Sequence, residues 1–251
     1  NLKLSSPKWD LLKFQVREAL EEYDYFEASF DQLLELQRPF LKALKQLIDL
    51  PFQIKQLANP FVPMLGLYQD CMRAYPLMMH IFKSLAPFTL LALGLEKTIL
   101  RMILESFSLE KYMDELVDST NNHLRAMKYG RINTSELTHG VPAHCDHTTM
   151  TLLCQLNEVQ KVNFVLLQVW LNGQLTVVYH RMMMKGNETS YSIRVFASPR
   201  EGYLVKVPKE LVDDKNPMLF KPFDLEEVLK FYYLQTVQVA TKSTIKAYCN
   251  V

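Results

Sequence analysis

Along the 251-residue chain the apolar positions follow two different periods, and the change falls near Asn121. In the first half they recur three and four residues apart, the spacing of one helix face. Trp9, Leu11, Leu12, Phe14, Val16 and Leu20 form one such series. Ser5 or Ser6 can cap it and Pro7 suits its first turn, so a helix is predicted there. A short strand is expected at Tyr25 to Ala28. Leu33, Leu34, Leu36, Phe40, Leu41, Leu44, Leu47 and Ile48 predict a second helix. Pro39 inside it removes a backbone donor at a cost of about 3 kcal/mol, which predicts a kink or break. From Pro51 to Pro87 the period dissolves among Pro, Met and aromatic residues, the methionines reading as flexible core filling. Helical spacing returns at Leu95 to Phe107, and a shorter helix is predicted at Leu109 to Val117.

Beyond Asn121 short apolar runs alternate with polar turns. They predict strands at His123 to Tyr129, Thr149 to Leu156, Asn163 to Trp170, Leu175 to Tyr179, Tyr191 to Ala197 and Tyr203 to Val207. Asn172 and Gly173 tolerate the positive backbone angles of a tight turn and predict a hairpin between two of these runs. A closing helix is predicted at Leu225 to Tyr248, with Asp224 and Glu227 as a capping box. Helices, then strands, then a helix make an α+β order. It reads as one structural unit: a mainly helical part at 1–120, a strand-rich core at 121–210 and a helical extension at 211–251.

Composition narrows the function. A hydrophobic fraction of 49% supports a sizeable core, and a formal net charge of +1 with interspersed Lys, Arg, Asp and Glu excludes an electrostatic case for nucleic acid. The weakly polar run Leu85 to Leu95 is shorter than the roughly 20 residues a bilayer requires, so no membrane partner is expected. The opening segment has neither an initiator Met nor an apolar signal core, which reads as a fragment or processed product without a secretory signal, in the cytoplasm. Cys71, Cys145, Cys154 and Cys249 form no C-x-x-C pair and read as reduced intracellular thiols.

The candidate chemistry lies in Val141-Pro-Ala-His144-Cys145-Asp146-His147. Residues two apart on an extended segment share a side, so His144 and Asp146 can converge on one ion; Cys145 should face away, and His147 is an alternative ligand disfavoured because it should face opposite to His144. A second strand is expected to end in Val178-Tyr-His180-Arg181. Two neutral imidazoles and one carboxylate suit an iron(II) ion with open positions. H-x-D occurs by chance, so spacing alone leaves a structural role for these residues open.

Longer phrases add context. Pro7-Lys-Trp-Asp10, Gln15-Val-Arg-Glu-Ala-Leu-Glu-Glu-Tyr23, Arg101-Met-Ile-Leu-Glu-Ser-Phe107, Leu109-Glu-Lys-Tyr-Met-Asp-Glu115, Leu124-Arg-Ala-Met-Lys-Tyr129, Trp170-Leu-Asn-Gly173, Tyr179-His-Arg181, Gly186-Asn-Glu188, Glu210-Leu-Val212 and Phe220-Lys-Pro-Phe-Asp224 cover most of the chain outside Leu57 to Leu93. In these phrases the sequence resembles plant soluble 2-oxoglutarate- and iron(II)-dependent dioxygenases. Within that family it is similar to the branch that makes alkenyl and hydroxyalkyl glucosinolate side chains. The resemblance implies a double-stranded β-helix, or jelly-roll barrel, with helices packed outside. It implies iron(II) at His144, Asp146 and His180, 2-oxoglutarate as co-substrate helped by Tyr129 and Ser192, and ascorbate as reductant. It further implies oxygen-driven decarboxylation to succinate coupled to oxidation of a small plant specialised metabolite; the oligomeric state is not legible in the sequence, and a monomer is the default expectation.

Three features depart from the family pattern. Ser190 stands where an Arg-x-Ser motif would place the arginine that grips the far carboxylate of 2-oxoglutarate, with Ser192 in its usual place. Arg194 lies on the same side of a regular strand, four residues on, and reads as a surface cation. Only 34 positions (180 − 146) separate Asp146 from His180, fewer than the family usually carries, so the barrel is expected to be incomplete. Leu57 to Leu93 matches nothing in the family. Together these give a second reading: a non-catalytic member that binds a metal or small molecule without turnover. A cupin-like metal protein using no 2-oxoglutarate would need additional His or Glu ligands, which the sequence does not offer.

Overall fold

The structure is a computed structural model that describes residues 3–49, 76–130, 134–156, 168–176, 178–186, 189–235 and 244–249. Helix α1 spans Pro7–Tyr23, and Ser6 caps it, its hydroxyl accepting from the Trp9 amide. No strand follows, since residues 25–30 are irregular. Helix α2, Asp31–Ile48, runs unbroken through Pro39 and corrects the expected kink. Pro39 and Glu35, four residues before it, are both exposed, so water can serve the carbonyl that the proline leaves without a donor. Helix α3 spans Pro76–Ser106, with Pro87 likewise exposed within it, and so reaches into the stretch where the sequence shows no steady period.

Leu33, Phe40, Ala43 and Leu44 of α2 are buried along with Leu85, Phe88, Ala92 and Ile99 of α3, and the Phe40 and Phe88 rings lie 4.3 Å apart. Trp9 donates its indole N–H to Glu105 at 2.8 Å, and the Arg17 guanidinium covers the Phe107 ring at 4.1 Å, which fastens α1 to the end of α3. A 3-10 turn at Glu110–Tyr112 and helix α4, Met113–Asp118, lead into the strands.

Strands β1 (Thr120–Tyr129), β2 (Thr134–His144), β3 (Met150–Gln155), β4 (His180–Gly186) and β5 (Ser190–Pro199) form two antiparallel sheets, β1-β5-β3 and β2-β4. β5 is central, and its Tyr191, Ile193, Val195 and Ala197 are buried on one side. Helix α2 lies at the same end, with Lys45 5.1 Å over the Tyr191 ring and Gln37 donating to the Leu156 carbonyl at 3.0 Å.

Several strand expectations are corrected. Residues 168–170 form a turn instead of ending a strand, while 163–167 lie outside the described residues. The turn itself is as expected: Asn172 and Gly173 both have positive φ, 52° and 79°. The buried Asn172 side chain accepts from the Leu219 amide at 2.8 Å and donates to the Pro217 carbonyl at 3.0 Å. Leu175 to Tyr179 holds no strand among its described residues, and Tyr203 to Val207 makes only the bridge Val205↔Phe223. The closing helix is seen as α5 (Leu225–Gln235) and α6 (Thr244–Cys249), with 236–243 outside the described residues. Asp224 caps α5 through the Glu226 amide at 2.7 Å, but Glu227 accepts from the Tyr248 hydroxyl at 2.9 Å and not from the helix start.

Candidate metal centre

β2 and β4 bring the two candidate histidines together, because His144 and His180 are cross-strand partners at the open end of their sheet. His180 begins β4 and does not end a strand, contrary to the sequence expectation. Close packing fixes this sheet: a Cβ on Gly140 would lie 2.8 Å from the Met184 side chain. Beyond β2 the chain carries Asp146 inward, where it is 8% exposed.

His144, Asp146 and His180 each offer a ligand atom, all within 4.8 Å of one another. Nε2 of His144 lies 3.4 Å and Nε2 of His180 3.9 Å from the same Asp146 oxygen. Bonds of about 2.0–2.2 Å to one ion place adjacent donors about 3 Å apart, so an ion would draw each histidine nitrogen less than an ångström towards the Asp146 oxygen, and the most widely separated pair, within 4.8 Å, would close by up to about 1.8 Å.

Hydrogen bonds fix each side chain. Nδ1 of His144 donates to the Pro142 carbonyl at 2.8 Å and Nδ1 of His180 to the Val178 carbonyl at 3.2 Å. That commits the proton to Nδ1 and leaves the Nε2 lone pairs facing the group, as a metal-binding imidazole requires. The other Asp146 oxygen accepts from the Thr151 hydroxyl at 2.9 Å, and Thr151 is paired with Thr148 at 2.8 Å. Thr151 is a supporting residue that periodicity could not reveal, since nothing in a Thr-Met-Thr run marks its partner.

Burial opposes charge on Asp146, but His144, His180, Thr151 and Arg194 outweigh it and hold the carboxyl below its usual range. The contact with Asp146 raises His144, whereas burial lowers His180 and favours its neutral form. This donor set fits iron(II): two imidazoles and one carboxylate on one side.

The remaining candidates separate clearly. His147 lines a cavity with Leu116, Trp170, Tyr203 and Phe223, away from the group, and Cys145 is outside it. Ser192 is buried on β5, and Tyr129 lies opposite Ser190 in the β1–β5 register, its hydroxyl on the Met127 sulfur at 3.1 Å. Ser192, Ser190 and Tyr129 therefore share one side of the sheet. Arg194 shares it too and is only 8% exposed, which corrects its reading as a surface cation.

No family model matches the chain. A probable 2-oxoglutarate-dependent dioxygenase of Arabidopsis thaliana, AOP1.2, is 33% identical over an alignment covering 96% of this chain and 90% of the relative. The alignment runs to 291 positions, so the relative carries residues that this chain lacks. The dioxygenase for auxin oxidation from rice superposes with a TM-score of 0.73 at 18% identity, covering 96% of this chain and 95% of that one. JOX2, solved in complex with 2OG, Fe and JA, superposes at 0.75 with 15% identity, covering 96% and 86%. These structures establish the fold as the double-stranded β-helix, with two open sheets among the described residues in place of a closed barrel.

Proposed function

The chain belongs to the plant 2-oxoglutarate-dependent dioxygenases, and from that premise we propose that His144, Asp146 and His180 hold iron(II) for oxidation of a small specialised metabolite. The observation that carries the reading is the convergence of three ligand atoms within 4.8 Å, with both Nδ1 atoms occupied by backbone carbonyls. Iron bound there would supply the redox chemistry with dioxygen as the oxidant: one oxygen atom would go to 2-oxoglutarate, released as succinate and carbon dioxide, and the other would hydroxylate the substrate or leave as water when it is desaturated. The protein's share is to hold Asp146 ionised and His180 neutral, to fix ring orientation through Pro142 and Val178, and to leave one side of the ion open. Tyr129 and Ser192 assist 2-oxoglutarate from β1 and β5. A cytoplasmic monomer using ascorbate as reductant completes the proposal. No helix among the described residues is long and apolar enough to cross a membrane.

The test is succinate formation from 2-oxoglutarate with iron(II) and ascorbate, compared between the chain and His180→Ala. Succinate that depends on His180 supports the reading, and equal amounts from both proteins refute it. A second reading, a member that binds metal without turnover, is favoured by Ser190 at the arginine position and by two sheets that do not close. Tight iron binding with no succinate would select it.

A further inference from the structure

The inward side of β5 carries Ser190, Ser192 and Arg194 at two-residue intervals, and two of the three are unsatisfied. Among the described residues, Ser190 Oγ and Arg194 Nε are buried without a hydrogen-bond partner, and Arg194 makes no ion pair. A buried guanidinium whose Nε has no hydrogen-bond partner, with the Asp146 carboxylate acting on it only at a distance, is a costly arrangement that a bound anion would relieve. Directly opposite Arg194 in the β1–β5 register stands Arg125, which is exposed. Directly opposed residues share one side of a sheet with Cβ atoms about 4.5–5.5 Å apart, and like charges so placed repel. An anion between them relieves both the repulsion and the missing partner. A carboxylate is the best shape for it, since a guanidinium can bind one through two parallel hydrogen bonds.

The position of the pair says which carboxylate. Thr151, whose hydroxyl holds Asp146, is opposite Phe196 on β5. Arg194 is two residues from Phe196, or about 7 Å along the strand, whereas Ser190 is six residues away, or about 20 Å. The guanidinium thus stands on the metal side of the lost anchor.

We infer that Arg194, assisted by Arg125, is the carboxylate anchor of this chain, set four residues along β5 from the family position. It holds the far carboxylate of a 2-oxo diacid whose other end chelates the metal. The inference rests on the metal reading above, and the experiment separates the two. The full chain is loaded with manganese(II), and 2-oxoglutarate and pyruvate are titrated by calorimetry. Pyruvate shares the chelating end and lacks the second carboxylate.

Arg194→Met is expected to weaken 2-oxoglutarate tenfold or more while pyruvate changes at most a few-fold, and retained manganese binding shows that the site is still folded. Arg194→Lys should recover part of the loss, and Arg125→Met should cost a few-fold. Unchanged 2-oxoglutarate affinity in Arg194→Met overturns the inference. So does an equal loss for both acids, or a chain that binds manganese but no 2-oxoglutarate. Failure of the unaltered chain to bind manganese would instead overturn the metal reading, and this inference with it.

Discussion

Around Asp146 both carboxylate oxygens and both histidine rings have partners, whereas along β5 Ser190 Oγ and Arg194 Nε have none among the described residues. The two regions are close in the fold and have similar burial: Asp146 and Arg194 are each 8% exposed. The difference lies in what holds them. The candidate metal centre is set by contacts within the chain, from Pro142, Val178 and Thr151, so its geometry exists before any ligand arrives. Among the described residues the arginine region carries the cost of buried polar atoms without protein partners, roughly 1–3 kcal/mol each, which a bound ligand would offset. One region is preorganised and the other is incomplete.

The largest expected effect breaks the preorganised side. His180→Ala leaves two donors, and affinity for manganese(II) or iron(II) should fall a hundredfold or more, about 3 kcal/mol, as read by calorimetry. Retained affinity would mean that the three side chains do not act as one site. The next effect carries the contrast into the helical half. Glu96 on α3 is 4% exposed, and burial pushes its carboxyl from 4.5 to about 7. The folded chain therefore holds this proton to higher pH than the unfolded chain does. Stability is full below about pH 4.5, falls as pH rises towards 7, and stays lowered above. Glu96→Gln should gain about 2–3 kcal/mol in urea unfolding near pH 8 and almost nothing near pH 4. Equal gains at both pH values would show that the carboxyl is not the source.

This contrast also explains what could be read in the sequence. The candidate metal ligands were legible chiefly from the family resemblance, since two-residue spacing only allowed His144 and Asp146 to converge and gave no place to His180. The helices α1 and α2 were legible from their apolar spacing. β2 was not: Gly140 and Pro142 interrupt any alternation, and the strand exists because Met182 and Met184 pack against it. The Pro39 kink was wrongly expected because the sequence does not show that its turn faces water. Arg194 was visible as a residue and misread in burial, since strand spacing gives its side of β5 but not what covers that side.

Thr151→Val sharpens the comparison by removing one tether while keeping the shape. The Asp146 carboxylate would lose its partner on one oxygen and could rotate away from the histidines. Supporting hydrogen bonds of this kind are worth ten- to a hundredfold in metal affinity. We expect about tenfold here, because His144 and His180 still hold the other oxygen. Thermal unfolding of the metal-free chain should change much less than metal affinity does. An equal loss in both would assign Thr151 to the core and not to the site.

The smallest effect falls on the incomplete side. Ser190 Oγ is buried with no partner, so Ser190→Ala removes a group that was desolvated without compensation. Where Thr151→Val breaks a bond, Ser190→Ala breaks none, and removing an unpaired buried hydroxyl is neutral or slightly stabilising. The expected change in urea unfolding is within about 0.5 kcal/mol, tending towards a gain. A loss above 1 kcal/mol would mean that the hydroxyl is bonded in solution, and the two regions would then differ less than their hydrogen bonds indicate.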